Sequence, residues 1–166
     1  MPNERYKDFL SFALQRSTEN THFYEIQAKL CHNTINRRFL YYLAAKSREL
    51  YVKTNLKSAL HNYSDLKEYK QGELKQFNFP LFCLQTDQIC SVAKKLIQKD
   101  IKLYNDLAIF EEDKQTRELL IFLSEIAKQM LRDVLETSKD FITSQHEHKE
   151  KEIVYNKLPN AKALCV

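Results

Sequence analysis

The sequence predicts an all-α chain, an antiparallel four-helix bundle made of two αα-hairpins joined by a long crossover. Three observations carry that expectation. One glycine and three prolines in 166 residues cannot supply the positive-φ and fixed-φ turn positions that an all-β domain needs about every 8–12 residues. Apolar and small residues recur at three- and four-residue steps in four separate stretches, which is the period of one helix face. The chain also matches itself without gaps at an offset of 80 residues, pairing Ala13 with Ala93, Tyr24 with Tyr104, Ala28 with Ala108, Arg37 with Arg117, Leu40 with Leu120 and Leu43 with Leu123.

The first helix is expected from Glu4 to about Cys31, with Leu10, Ala13, Ser17, Tyr24, Ala28 and Cys31 on its stripe and Arg16, Glu19, Glu25 and Lys29 on other faces. Asn33 is placed to cap a second helix, whose stripe is Phe39, Leu43, Ser47 and Leu50 and which runs past Ala59 toward Leu66. The short turn between them makes the pair antiparallel neighbours. Residues 62–85, with Gly72 and the FNFPLF segment around Pro80, read as the crossover. Thr86 or Asp87 caps a third helix along Cys90, Ala93, Ile97, Ile101, Tyr104 and Ala108. After a charged turn over Glu111 to Gln115, a fourth helix carries Leu120, Leu123, Ala127, Met130 and Val134 and ends near Ile142. The bundle thus occupies residues 1–143, with hairpins over about 4–66 and 86–142, and 144–166 read as a polar linker and C-terminal tail.

Composition narrows the chemistry. Gly72 has no partner with which to build a glycine-rich phosphate loop, so P-loop and dinucleotide-binding motifs are excluded. Cys31, Cys83, Cys90 and Cys165 form no C-x-x-C pair and read as reduced thiols of a cytoplasmic protein. The charged N-terminus has no apolar signal core, and no stretch suits a membrane span. The net charge of +4 comes from 26 basic and 22 acidic residues, mixed as on solvated helix faces.

Residues 13–50, ALQRSTENTHFYEIQAKLCHNTINRRFLYYLAAKSREL, resemble the first hairpin of rubrerythrin-type members of the ferritin-like superfamily. Residues 93–131, AKKLIQKDIKLYNDLAIFEEDKQTRELLIFLSEIAKQML, resemble the second. The resemblance implies a ferritin-like bundle and a di-iron centre held by one Glu on each of the first and third helices and a Glu-x-x-His on each of the second and fourth. Residues three apart share a helical face, which is why that spacing converges on a metal pair. In register, the single glutamates fall on Ser17 and Ile97, and the two Glu-x-x-His motifs on Ser47 with Leu50 and on Ala127 with Met130. No carboxylate or imidazole occupies any of these degenerate positions, so the core there is expected to be dry and packed. Of the nearby acids, Glu19, Glu49 and Glu125 are two residues out of register and Asp100 three, and no histidine occurs between His61 and His146.

Other constellations favour plain structural roles. His22, His32 and His61 read as exposed or capping side chains rather than zinc ligands, and His146 with His148 as part of a solvated tail. Tyr24, Tyr41, Tyr42 and Tyr104 read as packed rings, Met130 as core filler rather than a haem ligand, and Ser17 and Ser47 as hydroxyls bonded to preceding carbonyls. Lys94, Lys95, Lys99 and Lys102 form a basic patch without the interleaved aromatics of a nucleic-acid platform. The expected function is therefore non-catalytic. It is that of a rubrerythrin-like protein without di-iron ligands or cofactor, acting through protein contact as a homodimer or larger assembly. Two alternatives remain. One is a di-iron oxidoreductase, peroxidase or iron-handling protein with displaced ligands, and the other a binder of an apolar molecule (lipid, quinone or haem) in the bundle core.

Overall fold

The computed structural model describes residues 4–60 and 80–157, and within them the protein is all-helical, with four long helices and no strand. They are α1 (Glu4–Leu30), α2 (Thr34–Ala59), α3 (Thr86–Phe110) and α4 (Lys114–Lys157), with a short 3₁₀ turn at Leu81–Cys83. Gly72 and most of the expected crossover lie outside the described residues, as does the stretch from His61 to Leu66.

The 80-residue offset recurs in the geometry of the turns. Both α1 and α3 stop at matching positions, Leu30 and Phe110, and α2 and α4 start at matching positions, Thr34 and Lys114. The caps match as well. Asn33 Oδ1 accepts from the Asn36 backbone N–H at 2.9 Å, and Asp113 Oδ2 accepts from the Thr116 N–H at 2.8 Å. Each cap satisfies one of the N–H groups that a helix start leaves without an internal partner. The Arg117 guanidinium also donates from Nε to the Glu111 carbonyl at 2.8 Å and closes the second turn.

α1 packs chiefly on α2 and α3 on α4, while α2 and α4 form the main seam between the two pairs. The apolar core falls into two clusters. One gathers Tyr24, Ala28, Phe39, Leu40, Leu43, Ile89, Ala93, Ile97, Ala127, Met130 and Val134, among others. The other gathers Tyr6, Leu10, Ala13, Leu14, Tyr104, Leu119, Leu120 and Leu123. Side-chain pairs that bridge elements fix their relative placement. Arg5 meets Glu111 and Arg16 meets Asp100 between α1 and α3. Phe39 packs against Phe141 with the rings tilted, Lys46 bonds Asp133, and Lys57 lies over the Phe122 ring between α2 and α4.

One end of the bundle is closed by a buried polar network. Asn36 Nδ2 donates to the Leu84 carbonyl at 2.8 Å, and Thr86 Oγ1 donates to Asn36 Oδ1 at 2.6 Å. The Thr86 N–H donates to Gln145 Oε1, whose amide Nε2 in turn donates to Gln85 Oε1. This network explains why neither Thr86 nor Asp87 caps α3. The Thr86 hydroxyl is engaged by Asn36, and the cap is Gln85, in a reciprocal box with Gln88.

α4 also departs from expectation, since it runs to Lys157 rather than ending near Ile142. The polar run HEHKEKE contains Glu and Lys, both good helix formers, and no breaker precedes Pro159. Gln145 is buried, and Lys149 donates to Gln85, so the extension is anchored at its base. No helix among the described residues is long and apolar enough to cross a membrane.

Asn36 is buried and bonded through both ends of its amide. Asn36→Ala orphans the Thr86 hydroxyl and the Leu84 carbonyl, and the expected loss is about 1–3 kcal/mol in urea unfolding; a variant as stable as the parent would show that this network does not hold the helix ends together.

Candidate functional site

The six positions at which the resemblance places metal ligands all lie at the core. Ser17, Ser47, Ile97, Ala127 and Met130 are buried, and Leu50 is partly buried against the same cluster as the last three. Their chemistry does not fit a di-iron centre. Ser17 and Ser47 each donate to the carbonyl one turn earlier, of Ala13 and Leu43, at 3.0 Å. The remaining four offer three alkyl groups and a thioether, which give a hard cation neither charge nor oxygen donors. Among the described residues, no three His, Cys, Asp or Glu side chains converge into a metal-binding group.

The acids near the register go to different places. Glu49 faces outward between Lys46 and Lys53, and Glu125 pairs with Lys128. Glu19 accepts from Gln15. Only Asp100 turns inward, where its Oδ1 accepts from Arg16 Nε at 2.7 Å. Both side chains are largely removed from solvent, at 6% exposure for Arg16 and 16% for Asp100. The sequence pattern had put Arg16 on an outer face, and the structure buries it. A signal for Asp100 does exist in the sequence. The α3 core positions 90, 93, 97 and 104 are spaced by three, four and seven, and residue 100 completes the alternation of three and four.

This ion pair forms a polar layer between the two apolar clusters. Arg16, Ser17, Asn20, Thr54 and Asp100 line a cavity of about 20 Å³, together with Ala13, Tyr104 and Leu123 from one side and Leu50 and Ala127 from the other. Three of the six positions, Ser17, Leu50 and Ala127, therefore meet at one place. That place is not dry apolar packing, because its wall includes a guanidinium, a carboxylate, an amide and two hydroxyls, and it has room for about one water. The offset of 80 relates Asn20 to Asp100, so one matching pair of the repeat meets in this layer.

The electrostatics follow from burial. Desolvation raises the Asp100 carboxyl above the ordinary carboxylate range, although Arg16, through charge and hydrogen bond, and Lys99 pull it down. Loss of hydration outweighs the salt bridge. Burial also pushes the Tyr24 and Tyr104 phenols well above their ordinary value, with Asp100 adding to the rise and Arg16 opposing it. Phenols held this firmly protonated serve as hydrogen-bonding and packing groups rather than as proton acceptors at neutral pH.

A second polar clamp lies across the α2–α4 seam. Lys46 Nζ donates at 2.8 Å to both Glu49 and Asp133, and these bonds, that to Asp133 first, raise the Lys46 ammonium above its ordinary value. The same bonds lower Glu49 and Asp133. Tyr42 stacks on Phe39 beneath this group, whereas Tyr41 stays exposed. His22, His32, His146 and His148 are exposed, as are Lys94, Lys95, Lys99 and Lys102. His61 falls outside the described residues. Comparison with protein-family models, with curated proteins and with solved structures returns no match for this chain.

Removing one member of the core pair leaves the other charge buried alone. Arg16→Met is expected to cost about 3–5 kcal/mol, and the double change Arg16→Met/Asp100→Leu to recover most of that loss. Urea unfolding of the two variants measures this, and a double variant no better than the single one would contradict it. Asp100 also sets a pH dependence. Its folded pKa is raised, so its contribution is fully present below the unfolded aspartate value of about 3.9 and lost as pH rises through the raised folded value. Glu49 and Asp133 act in the opposite sense, their contributions being lost as pH falls through their lowered values. Asp100→Asn is therefore expected to narrow or reverse its deficit against the parent as pH rises across that window, and a constant difference would count against burial as the cause.

Proposed function

We propose that this chain is a ferritin-like, rubrerythrin-type bundle whose centre is held by an ion pair in place of metal and which acts without catalysis, through contact with protein. Residue order along the bridging pairs supports the arrangement. Between α1 and α3, position 5 meets 111 and 16 meets 100. Between α2 and α4, position 39 meets 141, 46 meets 133 and 57 meets 122. In each series one number rises as the other falls, the order of antiparallel neighbours. Short turns join α1 to α2 and α3 to α4, so α2 and α3 then run parallel and need a crossover between them, as in the one-crossover bundle.

The observation that carries the functional reading is Arg16 facing Asp100 at the level of Ser17, Leu50 and Ala127. A fixed guanidinium at the centre repels a cation, and Asp100, the acid in this layer, is already engaged. An apolar ligand finds little support there, since about 20 Å³ is far below the roughly 300 Å³ at which ligand pockets begin. The free thiols of Cys31, Cys83 and Cys90 suit a reducing compartment, which favours the cytoplasm. A homodimer is the assembly we assign.

Metal analysis of protein purified without chelators tests the non-catalytic reading. The expected result is iron and manganese far below one atom per chain and no peroxide consumption above buffer. Stoichiometric iron, retained through gel filtration, would overturn it and favour a displaced-ligand oxidoreductase.

A further inference from the structure

We infer that the seam between α1 and α3 is the surface on which a second copy of this chain docks, with a two-fold axis passing near Leu103. The inference rests on the homodimer proposed above and assigns it a face. α1 and α3 scarcely touch through their backbones. Two grooves lie along the seam, of about 350 and 420 Å³. The first is floored by Phe9, Leu107 and Phe110, and the second by Phe12 and Leu103. Phe110 is 83% exposed and Leu103 37% exposed, so apolar surface is left open to water along this side. Because Arg5 meets Glu111 and Arg16 meets Asp100, Phe12 lies level with Leu103 and Tyr104, and the apolar patch is continuous across the seam.

Charge identifies the occupant. Exposed bases occupy the earlier part of α3, at Lys95, Lys99 and Lys102, and the half-exposed Asp106 and the exposed Glu112 follow, whereas Glu111 is buried against Arg5. A surface with bases toward one end and acids toward the other complements itself when turned about a perpendicular two-fold axis. With that axis near Leu103, Phe12 and Leu103 of the two copies meet at the centre, and Lys99 of each copy lies beside Asp106 of the other. Asp106 is half exposed and already draws Lys102 of its own helix, so it remains accessible to a second cation. The exposed ridge of α2 at Val52, Leu56 and Leu60 is also apolar, but it carries no such alternation of charge and borders residues outside those described.

Sedimentation equilibrium of the full chain, from about 0.1 to 100 µM, tests the face. The parent is expected to reach twice the chain mass. Leu103→Asp is expected to weaken association by roughly a hundredfold, and Lys99→Glu or Asp106→Lys alone by roughly tenfold. An equimolar mixture of the two charge variants is expected to recover the parental affinity, because every cross-copy contact is then again between opposite charges. Circular dichroism and thermal melting of each variant separate lost association from lost folding, and the two charge variants carry the test if Leu103→Asp does not fold. A single-chain mass throughout, an open-ended assembly, or a dimer indifferent to all three changes would overturn the inference. None of those results would alter the metal content that tests the non-catalytic reading.

Discussion

A buried guanidinium bonded to a largely buried carboxylate sets the register between the first and third helices of this bundle. Arg16 and Asp100 sit between two hydrophobic clusters and are the main link between helices whose backbones otherwise scarcely meet. The pair is not a large source of stability, because removing two charges from water costs nearly as much as their attraction returns. Its effect is on register. Sliding α1 by one residue against α3 rotates a side chain by about 100° and moves its charge into an alkyl environment, a far costlier arrangement than any exchange among Leu, Ile and Met.

The other seam is held by different means. On the α2–α4 side, Phe39, Tyr42 and Phe141 supply aromatic packing, and Lys46 reaches across to Asp133 from above it. At the end of the bundle the Asn36, Thr86, Gln85 and Gln145 side chains satisfy one another. Polar groups thus fix the placement of one helix pair on the other, while apolar residues, drawn from both pairs in each cluster, supply the burial. The division follows from directionality, since hydrogen bonds specify geometry and apolar burial tolerates many arrangements of similar area.

The helix count, the caps at Asn33, the stripe residues and the offset of 80 were legible in the sequence because each depends on local spacing. The six positions of the resemblance could be placed in the core for the same reason. The centre itself was not legible. Whether Arg16 faces water or protein depends on a carboxylate 84 residues away, and a helical stripe drawn from apolar residues alone leaves out any charge that shares its face. The α3 cap was misread because Thr86 has a better partner in Asn36, on another helix. The end of α4 was not legible because a charged run resembles a linker in composition, although Glu and Lys sustain a helix until a breaker is reached.

The matched turns at Asn33 and Asp113 bear on how the chain folds. Most backbone neighbours of α1 are on α2, and most of those of α3 are on α4, each reached through a turn of three residues with its own cap. Closing so short a loop costs little entropy, so each hairpin assembles from contacts close in sequence. Joining the hairpins is the step that must bring Arg16 to Asp100 and strip both of water. The hydration that this pair gives up therefore opposes the joining of the hairpins and not the formation of either one.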